Sequence, residues 1–321
     1  MHKKCIVLLV VLSIIFSFGS CSTDDDDFKD EIPPQEMPEE KPDEKPEEKP
    51  DEKPDEKPDN DYFSYKTGTT VQLITKAELC KSIIADGKEL LTDNQYGEIR
   101  VELKDPKVYI TFKEGITDFT EVFSGCTKLT SVPANLFKDH KDATNFTAAF
   151  FRCTSLTSIP EDLFANNTLA EKFNGAFWFC ISLKEIPEKL FANCPAATDF
   201  SDSFAACKKL VSIPSALFAH NPNVTDFGNT FQECTSLTSI PANLFDNNRK
   251  IEVFSGLFSN CTSLKGESPY TVVEGKKVHL YERELYPELF EEPGLHFGVF
   301  ENCTGLTDYA KMPSVWQKFQ N

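Results

Sequence analysis

Six cysteines, Cys126, Cys153, Cys180, Cys207, Cys234 and Cys261, follow one another at steps of 27 residues. The apolar residues around them keep the same step. Phe119, Phe123, Leu129, Val132, Pro133, Leu136 and Phe137 return as Phe146, Phe150, Leu156, Ile159, Pro160, Leu163 and Phe164, and three further copies follow without a slip. A fixed period of this length, with every apolar column in register, describes a unit that closes its core only against its neighbours. Such a chain offers an extended binding surface more readily than an active-site cleft.

Within one copy, Phe119, Phe123 and Cys126 stand at i, i+4 and i+7, which predicts one face of a short helix or helical turn. Leu129-Thr-Ser-Val132 is short and β-branched, and predicts a brief parallel strand closed by Pro133. Pro133 suits the start of another helical turn, with Leu136 and Phe137 inward. Asn166, Asn167, Asn193, Asn221 and Asn247 suit turns and left-handed helix ends, and Ala143-Thr-Asn-Phe146 reads as a second short strand.

The string Phe-x-x-Cys-x-x-Leu-x-x-Ile, present at Phe150 to Ile159 and Phe231 to Ile240, resembles the leucine-rich repeat of the BspA-like surface proteins of Bacteroides and relatives. The resemblance spans roughly residues 119–265, with a degenerate last copy at Phe300, Cys303, Leu306 and Tyr309. It implies an α/β fold: a parallel-stranded, leucine-rich-repeat-like solenoid on a cell surface, whose repeat is scaffold and carries no function residue by residue.

The cysteine column admits a disulfide ladder or a metal array as alternatives to plain packing. Equivalent positions in stacked strands lie about 4.8 Å apart, beyond the roughly 3.8 Å between Cβ atoms that a disulfide prefers. No His or acidic column accompanies the cysteines to complete a metal shell. They read as small buried hydrophobes, with Cys80 and Cys194 off the column as candidate free thiols.

The first 20 residues read as a signal peptide: Lys3 and Lys4, then an apolar run from Ile6 to Phe18 that is short for a membrane span. Ser17-Phe18-Gly19-Ser20-Cys21 resembles a lipobox, which implies acylation of Cys21 and attachment to a membrane without spanning it; Phe18 departs from the usual aliphatic residue. Asp24 to Asp27 resemble the surface-export signal of Bacteroidetes lipoproteins, and read alone are the start of a solvated linker. Residues 21–62 form an acidic spacer with proline at 38, 42, 46, 50, 54 and 58, an extended polyproline-biased tether. At about 3.1 Å per residue it reaches roughly 130 Å. Residues 24–60 hold 18 acidic and 6 basic residues, net −12; with +2 from Lys3 and Lys4, −8 of the total −18 remains beyond them. Nucleic acid is therefore a poor partner.

Residues 63–118 are expected to cap the first repeat: Thr75-Lys-Ala-Glu78 resembles a capping box opening a helix to Ala85, and Glu98 to Phe112 reads as two strands around Asp105-Pro106. The repeats proper occupy 119–265. Residues 266–321 hold an insertion, the degenerate copy and an end unit; Tyr270 to Tyr281 predicts a hairpin turning at Glu274-Gly275, read as a cap or a binding loop.

Catalytic motifs are missing from the sequence. His2, His140, His220, His279 and His296 are scattered, with His140 and His220 read as surface turn residues, and there is no zinc-binding His-Glu-x-x-His, nucleophile elbow or phosphate loop. No enzyme activity, metal or cofactor is expected. Candidate ligand contacts are Trp178, read as replacing a small or polar residue of its column, and Lys184-Glu185, which stand where the first copy has Thr130-Ser131. The expected protein is a lipid-anchored outer-membrane lipoprotein facing the cell exterior, whose repeats bind a protein or glycan ligand, host-derived ligands included. Adhesion and accessory glycan capture for polysaccharide uptake are the two functions weighed.

Overall fold

The computed structural model describes residues 61–286 and 295–319. The signal-like segment, Cys21 and all of the acidic tether but Asp61 and Tyr62 lie outside them.

From Asp118 the backbone runs in rungs that hydrogen-bond to one another. Single parallel bridges join Asp118 to Asn145, Asn145 to Lys172, Lys172 to Asp199, Asp199 to Asp226 and Asp226 to Val253, and another joins Val253 to Leu295 across the insertion. The recurring parallel contact therefore sits on the Ala143–Phe146 segment and its equivalents; one more parallel bridge, Gly266 to Leu306, lies on the segment after the cysteine.

The stretch that opens each rung is a chain of β-turns rather than a helix. The N–H groups of Val122, Ser124 and Cys126 close turns on the carbonyls of Phe119, Glu121 and Phe123, while those of Phe119, Glu121, Phe123 and Gly125 cross to Asn145, Thr147, Ala149 and Phe151 of the next rung at 2.7–2.9 Å. A helix spends its N–H groups on its own segment; here every second one is spent on a neighbour, as in a strand. The turns require left-handed residues at two columns. Glu121, Ala148, Gly175, Asp202, Asn229, Gly256 and Gly298 have φ of 51° to 67°, and Gly125, Arg152, Phe179, Ala206, Glu233, Asn260 and Asn302 have φ of 56° to 74°.

The strand expected after the cysteine exists in the first rung as β7 (Leu129–Ser131), but its partner is the antiparallel strand Phe63–Tyr65. In later rungs this segment contributes one N–H each: Thr157 to Thr130, Lys184 to Thr157, Val211 to Lys184, Thr238 to Val211 and Lys265 to Thr238, at 2.9–3.4 Å. Among the described residues the single α-helix is α1 (Ser314–Gln317), so the helical half of the expected α/β fold is absent there and the rungs are turns and bridges.

Three phenylalanine columns form the core. Phe123, Phe150, Phe177, Phe204, Phe231, Phe258 and Phe300 stack at 5.3–5.7 Å between centroids. Phe119 to Phe227 do so at 5.3–5.9 Å, and Phe137 to Phe245 at 5.8–6.4 Å. Burying each ring contributes about 1.5–3 kcal/mol, so three per rung supply much of what holds one rung to the next.

Before the rungs, β1 (Phe63–Tyr65), β3 (Cys80–Ala85), β4 (Lys88–Glu89), β6 (Lys107–Phe112) and β7 form a sheet in the order β4-β3-β6-β1-β7, and β2 (Thr70–Ile74) pairs with β5 (Ile99–Glu102). The strands flanking Asp105-Pro106 are as expected. The helix to Ala85 is not: Ala77–Leu79 is one 3-10 turn that gives way to β3. The Thr75 hydroxyl donates to the Ser124 carbonyl at 2.6 Å instead of capping, and Glu78 accepts the Gly97 N–H. Phe63 and Phe112 lie 5.0 and 5.1 Å from Phe123 and Phe119 and cover the first rung.

After the rungs, β8 (Tyr270–Val273) and β9 (Lys276–His279) form the expected hairpin, with Glu274 and Gly275 both left-handed as a two-residue turn requires. Buried Arg283 pins it to the preceding rung through the Phe245 carbonyl and Thr271.

Candidate functional site

The corner before each column cysteine reads Ser124-Gly125, Phe151-Arg152, Trp178-Phe179, Ala205-Ala206, Gln232-Glu233 and Ser259-Asn260 in successive rungs. Two adjacent rungs therefore place large side chains where the others carry small or polar ones. The fold fixes the second residue of each pair in the left-handed region, which an L residue occupies at a cost of about 1–2 kcal/mol; Arg152 and Phe179 hold it at φ 58° and 60°.

Trp178 is 36% exposed. Its ring lies 4.9 Å from Phe151 at 35° and 5.7 Å from Phe179, above Gly175, where a Cβ would meet the indole at 3.8 Å. The Arg152 guanidinium sits over both phenylalanine rings, 5.1 Å from Phe151 and 5.6 Å from Phe179. No hydrogen bond or ion pair engages that guanidinium among the described residues, so its five N–H donors face solvent. Phe151 corrects the reading of Trp178 as a replacement for a small or polar residue: the column holds two aromatic residues side by side. The signal was in the sequence, as Phe-Phe-Arg-Cys followed 27 residues later by Phe-Trp-Phe-Cys.

Lys184 and Glu185 are exposed on the next segment of the same rung. No hydrogen bond, ion pair or ring contact joins either to Trp178 among the described residues, and the structure does not gather the three into one site.

The column cysteines are buried free thiols, as are Cys80 and Cys194. Those from Cys153 to Cys261, and Cys303, donate to the carbonyl of a phenylalanine one rung back at 3.0–3.4 Å. Burial pushes their ionisation up, to about 12 at Cys234 and Cys303, so they are not nucleophiles. Cys194 belongs to a second column with His140, Asn167, Asn221 and Asn248. Buried Asn221 donates to the Phe191 and Cys194 carbonyls at 3.0 and 2.8 Å, and Asn248 repeats this on Phe218 and Asn221. His140 is accordingly not a surface turn residue. It is 7% exposed, packed on Phe112 and Phe119, and burial lowers its pKa.

Two groupings have a catalytic look. Asp202, with Asp199 and Asp226 near it, has its carboxyl pushed up to about 6 by burial, with the neighbouring aspartates adding and a hydrogen bond from Asn229 opposing. The Ser268 hydroxyl donates to Asp308 at 2.5 Å, and Asp308 lies 3.5 Å from His279 Nε2 without forming a hydrogen bond to it. Ser268 donates to a carboxylate and not to an imidazole, so this grouping lacks the Ser-His contact of a triad. Among the described residues no His, Cys, Asp and Glu group is placed to hold a metal ion. Two open clefts of about 480 Å³ both lie beside the N-terminal sheet, one along Glu78, Lys81 and Tyr96, the other along Phe112, Leu136 and His140.

No protein-family model matches the sequence, and no curated protein matches it. Among solved structures, the chain is similar to leucine-rich-repeat proteins. The leucine-rich-repeat protein of T. pallidum is 22% identical, with 60% of this chain and 72% of that one covered and a TM-score of 0.36. A leucine-rich cell surface protein of Faecalibacterium prausnitzii A2-165 is 19% identical over 53% of each chain, TM-score 0.23, and a leucine-rich-repeat protein of Bacteroides ovatus is 18% identical over 64% and 71%, TM-score 0.14. These likenesses are too weak to carry a fold, ligand or site over to this chain.

Proposed function

We propose that this chain is a lipid-anchored surface protein whose stacked rungs form a leucine-rich-repeat solenoid of the BspA-like kind, and that it holds a ligand rather than catalysing a reaction. The signal-like segment ending at Cys21, the acidic tether and the repeat string Phe-x-x-Cys-x-x-Leu-x-x-Ile support the anchoring and the family. The binding reading is carried by one observation: the corner of Phe151, Arg152, Trp178 and Phe179, where the exposed Trp178 ring and a guanidinium without a hydrogen-bond or ion-pair partner among the described residues stand on two half-buried phenylalanine rings. Aromatic residues and arginine are the side chains that dominate recognition surfaces. On the cell exterior the ligand is a protein or glycan, and attachment is the function. The exposed Trp178 ring, backed by Phe151 of the neighbouring rung, also favours glycan capture.

Antibody staining against residues 63–321, on intact and on permeabilised cells, tests the location. Attachment of cells carrying wild type or Trp178→Ala to immobilised matrix proteins and polysaccharides tests the corner. Staining of intact cells, with attachment reduced at least tenfold in the variant, supports the proposal. Staining only after permeabilisation overturns surface display, and undiminished attachment overturns the corner.

A further inference from the structure

We infer that the Trp178 corner binds an acidic glycan, a polysaccharide whose sugars carry carboxylate or sulfate groups; this rests on the reading of that corner as the binding surface. The charge of the strip is the first observation. The segment from the corner to two residues past the cysteine reads Ser124–Lys128, Phe151–Ser155, Trp178–Ser182 and Ala205–Lys209 in the first four rungs. It holds Lys128, Arg152, Lys208 and Lys209 and no acidic residue, in a chain of net charge −18. Arg152, Lys208 and Lys209 are exposed and Lys128 is half-buried. Of the four, the Arg152 guanidinium sits over the Phe151 and Phe179 rings, 5.1 and 5.6 Å from their centroids, and has no hydrogen-bond or ion-pair partner among the described residues, so its fork is available to a planar two-oxygen anion.

The second observation separates a glycan from an acidic peptide. A peptide binds by adding a strand to an open sheet edge, by seating side chains in an apolar pocket, or by its acidic groups on a cluster of arginines. The strip favours none of these: its alternate N–H groups are already spent between rungs, the two clefts described lie beside the N-terminal sheet, and Arg152 is the one arginine it carries. A pyranose needs only a flat ring face. Its axial C–H groups carry partial positive charge and lie against the negative face of an aromatic ring; Trp178 is the exposed ring of the corner, held in place by half-buried Phe151 packed against it at 4.9 Å. A sugar ring on Trp178, with acidic groups of the polymer on Arg152 and the lysines, uses the exposed features of the strip.

Titration calorimetry of the purified full chain tests this, with polygalacturonate as the carboxylate probe, dextran sulfate as the sulfate probe, fully methyl-esterified polygalacturonate as the neutral control and polyglutamate as the acidic polypeptide. The expected result is binding to at least one acidic polysaccharide, tenfold or more weaker in Trp178→Ala, several-fold weaker in Arg152→Gln, restored in part by Trp178→Phe, and at least tenfold weaker for the esterified polymer. Which probe binds tells carboxylate from sulfate. Equal or tighter binding of polyglutamate overturns the glycan in favour of an acidic peptide, and failure of both acidic polysaccharides to bind overturns the inference. If that failure comes with attachment still lost in Trp178→Ala cells, the corner stands and only its ligand is wrong. Unchanged melting temperatures show that the variants fold, and Lys208→Gln with Lys209→Gln provides a second, fully exposed lesion expected to weaken binding several-fold.

Discussion

Asp202 occupies a column whose backbone must be left-handed, and the equivalent residue one rung on is Asn229. Burial raises its carboxyl from the ordinary 3.8 to about 6, so between those values the folded state holds a proton that the unfolded chain has released. Stability contributed by this group is therefore greatest below about pH 4, falls as pH rises to about 6 and is constant above. Asp202→Asn removes the buried charge and keeps a residue that tolerates the left-handed region. It is expected to stabilise the protein at pH 7 by about 1–3 kcal/mol, with the advantage vanishing at pH 4. Urea unfolding midpoints at the two pH values check this, and a variant no more stable at pH 7 would refute it. At this scale the sequence was legible where a residue type repeats and obscure where it varies. The phenylalanine columns were plain, whereas Phe151 escaped notice as the neighbour of Trp178 because only two copies depart from the small or polar rule. His140 was read as exposed because its burial follows from Asn167, Asn221 and Asn248, whose side chains turn inward to satisfy carbonyls instead of facing water.

At the scale of the element, the spacing of Phe119, Phe123 and Cys126 fits a helix and a chain of turns equally well, since both bring those residues to one side. What decides between them is the destination of the N–H groups, which depends on a neighbour 27 residues away and so is invisible within one copy. The hairpin at Glu274-Gly275 was legible because its turn chemistry is local. Close approach of backbones marks the last seam: a Cβ on Gly305 would stand 2.3 Å from the Leu264 carbonyl oxygen, an atom that no rotamer change can move aside. Gly305→Ala is expected to destabilise the C-terminal rung by about 1–3 kcal/mol, seen as faster amide exchange from Phe300 to Leu306 than at Phe150 to Leu156. Equal exchange change at both places would refute a local seam.

For the whole chain, −12 of the net −18 lies in residues 24–60, so most of the negative charge is separated in sequence from the strip that would meet a ligand. The rungs themselves are joined by hydrogen bonds and stacked rings that connect each only to its neighbours. This has a mechanical consequence. A pull applied between the first and last rungs loads the seams in series, and each seam can part without the others. Stretched by an optical trap, the chain is expected to lengthen in repeated steps of about 90 Å, the contour of 27 residues at about 3.4 Å each, in place of one abrupt rupture; a single all-or-none release would refute it. A chain built this way yields under load one rung at a time, and lets out line before it lets go.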